Sequence, residues 1–280
     1  MREVKRVLLA ILTVAACSAQ PATTAKPPPS TDPPVGVTVG LGQWRMDEPV
    51  HRLQAAVKNS TDIPIYFADV QLVSDSFEIL PPARTDATLR RTKRTDLKMP
   101  YGAARCRPDG VPPLQPASVV AHIRVGDQPL RKVIFPVPHP DPLLQRLLRD
   151  ECQAYLIKQV VDLTFGSAWT RKGEELHGTL QVSRRTGTDP VTVVSVDGTT
   201  HYQISAPKSV LKGTEQRLEV PVVVLPGRCD PHAFAEAKKA YLFPVRAALG
   251  QDEAKVVIVV PDEQSQRLML DYAKEVCGLP

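Results

Sequence analysis

Aromatic residues are scarce, 5% of 280, which is low for a sugar site built from stacked rings. Where basic residues cluster, no aromatics interleave with them, which argues against a single-stranded nucleic-acid surface. Beyond residue 14 no run approaches the roughly 20 apolar residues of a membrane-spanning helix. His51, His122, His139, His177, His201 and His232 form no HExxH pattern or close pair. No G-x-S-x-G elbow and no glycine-rich phosphate loop occur. The familiar signatures of zinc hydrolases, α/β-hydrolases and phosphate-loop enzymes are therefore missing. A hydrolase site assembled from distant residues would leave no such signature. The 28 prolines and many Val-rich runs disfavour a helix-only architecture.

What is present is one pattern written twice. The two tryptophans, Trp44 and Trp169, lie 125 residues apart. Cys106 and Cys229 are 123 apart, and Cys152 and Cys277 are 125 apart. Two rare residue types keep one spacing twice, which predicts two tandem modules.

The fifth cysteine belongs to the N-terminus. Arg2, Lys5 and Arg6 precede a short apolar stretch at 7–14 (VLLAILTV), the layout of a secretory signal. The stretch ends in Val14, Ala15, Ala16 and Cys17. This resembles the bacterial lipobox, an aliphatic residue, two small residues and a cysteine. The resemblance implies cleavage before Cys17 and lipidation of its thiol. It also implies anchorage at the extracytoplasmic face of the cell membrane, where two acyl chains hold stably. The alternative is ordinary secretion with Cys17 incidental. Residues 18–34 form a Pro-rich tether that favours an extended form, reaching up to roughly 50 Å. The Ala, Pro, Arg and Val bias is similar to that of high-GC bacteria, actinobacteria in particular. Asn59, Ser60 and Thr61 match an N-glycosylation pattern, which carries little weight in a bacterium.

After the signal and lipobox (1–17) and the tether (18–34), the chain divides into modules at 35–156 and 157–280. Each is large enough for its own core. Four cysteines remain outside the cytoplasm, where disulfides are the default. The repeat selects Cys106 with Cys152 and Cys229 with Cys277, each bridge contributing about 4 kcal/mol in the chain-entropy model. A metal site is the poorer alternative, since no CxxC spacing occurs.

Alternating apolar runs predict strands at 35–39, 53–57, 63–73, 77–80, 119–125 and 130–137. In the second module they predict strands at 160–165, 176–182, 191–196, 202–204, 218–224, 241–249 and 255–260. Hairpin turns fall at 126–129 and 250–252. Asp141 with Pro142, and Asp262, read as caps of helices that end each module near Cys152 and Cys277. The first helix is expected to run directly into the strand at 160. The fold class is mainly β: two tandem seven-stranded β-sandwiches, each closed by a helix pinned by an intradomain disulfide. In strand count and size the modules resemble immunoglobulin-like domains. Here, however, tryptophan precedes both cysteines, so only the sandwich class is carried over.

Three features bear on a site. Asp230, His232 and Glu236 could surround a metal, since His232 and Glu236 would share a helix face. The competing reading is structural: Asp230 caps a helix, Pro231 starts it, Glu236 pairs with Lys238 or Lys239, and Cys229 anchors it. Second, residues 84–107 are rich in Arg and Lys. Arg90, Arg91, Lys93 and Arg94 are its anion-binding candidates, with a solvated face as the competing reading. Third, Trp44 and Trp169 are expected in the cores.

The function expected is a non-enzymatic, lipid-anchored envelope protein without a cofactor. It would present loops or a basic face to a protein or an anionic envelope polymer, and would not bind nucleic acid. The alternatives are a metal-binding or ligand-sensing lipoprotein using Asp230, His232 and Glu236, and a hydrolase with a site at the domain junction.

Overall fold

The structure, a computed structural model, describes residues 30–235 and 239–279. Cys17, most of the tether and Glu236 lie outside the described residues. The chain is mainly β, with sixteen strands in four sheets among the described residues.

In the first half, β1 (Val37–Gly42), β2 (Arg52–Asn59) and β5 (Thr92–Pro100) form one antiparallel sheet in the order β1-β2-β5. The second sheet takes β3 (Ile65–Ser74), β4 (Ala83–Leu89), β6 (Ala117–Val125) and β7 (Arg131–Pro136) in the order β4-β3-β6-β7. Alternate residues of a strand face one side of its sheet. Val37, Val39, Leu53 and Met99 of the first sheet therefore join Ile65, Phe67, Ile123 and Phe135 of the second in one buried cluster.

The second half holds β8 (Val161–Phe165), β9 (Thr170–Lys172), β10 (Glu175–Arg184), β11 (Val191–Val196), β12 (Tyr202–Ser205), β13 (Ser209–Leu211), β14 (Arg217–Pro226), β15 (Phe243–Leu249) and β16 (Lys255–Val259). Its sheets run β12-β14-β10-β8, with β9 also on β10, and β13-β11-β15-β16. Without β9 and β12 the pairing order of the first half is reproduced strand for strand. The described residues of this half thus carry nine strands where seven were expected. β12 answers to the run read at 202–204; β9 and β13 went unread because three residues carry no measurable alternation. Its buried side chains, among them Val182, Val193, Val222 and Phe243, form a second cluster.

Helix α1 (Pro142–Val160) links the halves. Asp141 caps it by accepting the Leu144 N–H at 3.0 Å, and Pro142 opens it. It passes without a break into β8 at Val161, as expected. Cys152 is not at its end but two turns earlier. Leu144, Leu147, Leu148 and Cys152 complete the first core, and Ile157 enters the second. One helix thus serves both cores, and its far side packs on β16 and β15. Helix α3 (Glu263–Cys277) is capped by Asp262, which accepts the Ser265 N–H at 2.7 Å, and stops at left-handed Gly278. The disulfides are Cys106–Cys152 and Cys229–Cys277, the expected pairing.

Two first-half strands differ from the expectation. Residues 77–80 form no strand; buried Phe77 makes one isolated bridge to Ala104. The strands are instead β4 and β5, inside the basic stretch. Their outward faces carry Arg84, Asp86, Lys93 and Lys98, and before Leu89 at its end β4 turns only small residues such as Ala83 and Ala87 inward. The charge hid the alternation. Residues 31–34, expected in the tether, already lie against the fold, where Thr31 accepts the Ile134 N–H at 2.9 Å.

Candidate functional site

Arg90 and Arg91 form the two-residue link between β4 and β5, where the chain leaves one sheet for the other. Beside them stands the loop from β2 to β3, residues 60–64. Asn59 organises both segments. It is fully buried, and its amide donates to the carbonyls of Ile63 at 3.0 Å and Leu89 at 3.2 Å. Its Oδ1 accepts the Thr61 N–H and hydroxyl at 3.0 and 2.8 Å. The apparent glycosylation pattern is therefore a loop lock.

Between the link and the loop is an open concavity of about 630 Å³ lined by Lys58, Asn59, Ser60, Arg91, Thr92 and Lys93. Arg91 meets exposed Asp62 at 3.3 Å. Lys58, Arg90 and Lys93 are exposed and have no ion-pair partner among the described residues. The neutral donors are committed elsewhere. Ser60 donates its hydroxyl to the Gly36 carbonyl at 2.7 Å, Thr92 donates to Arg94 O at 3.1 Å, and both amide hydrogens of Asn59 are used. What remains for an anion is positive charge without a fixed hydrogen-bond template, so selectivity for one anion's shape is not expected.

Arg94 does not belong to this group. Its guanidinium binds Asp96 at 2.7 Å and lies 5.8 Å from the Trp44 ring centroid, while Asp96 also accepts the Trp44 indole N–H at 3.1 Å. Arg84 is likewise engaged, paired with Asp86, which also accepts the Tyr66 hydroxyl. The Tyr66 bond and then Arg84 hold the Asp86 carboxyl below its ordinary range. The structure thus brings Arg90, Arg91 and Lys93 together, removes Arg94 and adds Lys58. Charge composition singled out the first three. Lys58 lies 32 residues before Arg90 and only strand pairing places it here.

The tryptophans divide. Trp169 packs on the second core, 6.0 Å centroid to centroid from Phe165, and donates to the Ser265 hydroxyl at 3.1 Å. Trp44, expected in the core, is instead 54% exposed. The position 125 residues before Gly178 is Leu53, which fills the space Gly178 leaves for the indole of Trp169.

Around Cys229 the local bonds match the structural alternative. Asp230 accepts the His232 N–H at 3.0 Å and the Phe234 N–H at its carbonyl, opening the short helix α2 (Pro231–Ala235). His232 is exposed, and Arg228 lies 3.8 Å from Asp230. Among the described residues no group of three His, Cys, Asp or Glu could hold a metal ion. Lys239 reaches across to pair with Glu48 of the first half; its expected partner Glu236 lies outside the described residues.

The junction holds a cavity of about 320 Å³ bordered by His51, Tyr101, Arg146, Glu151, Lys239 and Ile258, among others. Its lining contains no serine, threonine or cysteine among the described residues. Burial, and after it the Glu151 charge, push the Tyr101 phenol far above its ordinary range, so it stays protonated. Glu151 accepts the Ala104 N–H at 2.8 Å and is thereby tied to the backbone.

No protein-family model and no curated protein matches this chain.

Proposed function

We propose that this protein is a lipid-anchored component of a cell envelope that binds and does not catalyse. It is built from two tandem sandwich domains of the immunoglobulin-like kind. The basic end of the first domain is its anion-binding surface. The observation that carries the reading is the concavity rimmed by Lys58, Arg91 and Lys93, with Arg90 beside it, where three of the four cations have no ion-pair partner among the described residues. Unpaired charge gathered on one surface raises the local concentration of an opposite charge and speeds encounter with it.

Separate cores and a repeated pairing order support the two-domain reading. In both halves the fourth main strand sits beside the third, unlike the constant-type immunoglobulin sheet, where it sits beside the fifth. Two disulfides support an oxidising compartment. The lipobox resemblance supplies the anchor.

The test is retention of the full chain on a soluble anionic polymer such as dextran sulfate, as a function of salt. Retention should weaken as salt rises, and Lys58→Ala, Arg90→Ala and Lys93→Ala together should abolish it. Salt-independent retention, or retention by the triple variant equal to the unsubstituted protein's, would refute the assignment.

A further inference from the structure

We infer that the basic end of the first half docks on a bilayer containing anionic lipids, with Val35, Ile63 and Leu130 entering the headgroup layer among the cations. This rests on the anion-binding reading above and narrows its partner to a lipid surface.

Three large apolar side chains stand out of the fold at that end: Val35 is 94% exposed, Ile63 52% and Leu130 52%. Backbone bonds tie their loops together. Ser60 donates its N–H to the Gly36 carbonyl at 2.9 Å, and Gly126 donates to Pro64 O at 2.9 Å. A Cβ on Gly126 would stand 3.4 Å from Ile63 Cγ2. The Asn59 bonds bring the end of β4, and with it Arg90, to the same place. Four segments distant in sequence therefore share one end of the sheets. Because the loops are already ordered, docking would cost little further ordering.

Cations alone would suit any polyanion. Exposed apolar side chains set among cations suit an interface that offers negative headgroups above hydrocarbon. The counterpart end of the second half lacks this combination among the described residues: Lys212 and Arg217 are exposed there, but beside engaged arginines and loops without large exposed apolar side chains. There Arg184 donates to the carbonyls of Asp189, Lys212 and Glu215 at 2.9 to 3.0 Å, and Arg185 binds Asp162 at 2.7 Å. None of the prominently exposed apolar residues falls in 185–190, 212–216 or 250–254. The combination belongs to the half that follows the anchor. Cys17 precedes Thr31 by 14 residues, a reach of up to about 40 Å. Thr31 bonds Ile134, only about 10 Å along β7 from this end. The leash is therefore long enough for the end to touch its own membrane.

Co-sedimentation of the full chain tests this, with Cys17→Ser in every sample so that no acyl chain contributes. Vesicles of phosphatidylcholine alone are compared with vesicles containing phosphatidylglycerol. Binding is expected only to the second. Val35→Ser, Ile63→Ser and Leu130→Ser together should weaken it at least about tenfold while leaving dextran sulfate retention unchanged. The charge variant should lose both. A separate Leu130→Trp protein should shift its emission to the blue on anionic vesicles. If the serine variant binds vesicles as well as the unsubstituted protein, or the emission of the Leu130→Trp protein does not move, lipid docking is wrong and the anion-binding reading stands. If the unsubstituted protein binds neither probe, both fail.

Discussion

Trp44 and Trp169 occupy the same place in a repeated pattern and end in opposite environments. The difference lies in a facing strand. A Cβ on Gly178 would come within 2.4 Å of the Trp169 ring, so only glycine leaves room for the indole to lie down. In the first half that place is taken by Leu53, which is fully buried, and Trp44 stands outside, held by Asp96 and covered by Arg94. The helix position that receives the indole N–H changes in step: Ser265 accepts from Trp169, whereas buried Leu144 stands at the same point of α1. A duplicated template can therefore keep its strands and bridges while a few contacts decide which aromatic is core and which is surface.

The comparison can be broken most severely at the bridges. Replacing both cysteines of either pair by serine opens a loop of 46 or 48 residues and should cost about 4 kcal/mol. The Cys106–Cys152 pair should cost more, because Cys152 is wholly buried in the first core and Cys277 is only half-buried. Urea unfolding of the two variants checks the order; equal losses would mean that the core position of Cys152 adds nothing.

Next is the glycine. Gly178→Leu should expel Trp169 and cost about 1–3 kcal/mol by overpacking, with tryptophan emission moving to the red. Trp44→Ala should change stability by less than about 1 kcal/mol. If the two substitutions cost the same, Leu53 and Gly178 do not explain the divergence.

Asn59→Ala should cost about 1–3 kcal/mol, because it strips partners from the buried Leu89 carbonyl and the Thr61 N–H. Faster amide exchange confined to 59–65 and 89–92 would show that it is the lock of the basic end. Uniform exchange across the first half would argue against that role.

The smallest effect concerns acid. The Ser265 backbone N–H holds the Asp262 carboxyl below its ordinary range. Its contribution is fully present above the unfolded value, about 3.9, and fades as pH falls through the lower folded value, since the unfolded chain then binds more protons. Asp262→Asn keeps a cap but cannot titrate. Its melting temperature should therefore fall less steeply than that of the unsubstituted protein below about pH 4.

Much of the second half could be read directly. β11 matches its apolar run residue for residue, and β8, β10, β14 and β16 differ from theirs only at the ends, because valines alternate cleanly there. The caps Asp141 and Asp262 were readable because capping is local chemistry between neighbours. β4 and β5 were not, since charged outward faces masked weak inward ones. The place of Cys152 in α1 was also missed: two further turns follow it and put Ile157 in the other core, and nothing near Cys152 announces that. Of the candidate site, Arg90, Arg91 and Lys93 were visible as charge. Lys58, Val35, Ile63 and Leu130 were not, because they come from three stretches of chain apart from the basic run.

The chain's own order of residues determined the twofold repeat, the pairing of four cysteines, the helix starts and most strands. All of these follow from spacing, alternation or contacts between near neighbours. Only the tertiary structure decided which tryptophan is exposed, which cations keep their charge unpaired, that Asn59 is buried, and that one helix serves two cores. Those outcomes depend on atoms brought together from strands tens of residues apart, where packing and hydrogen-bond competition set the result and local pattern has no part.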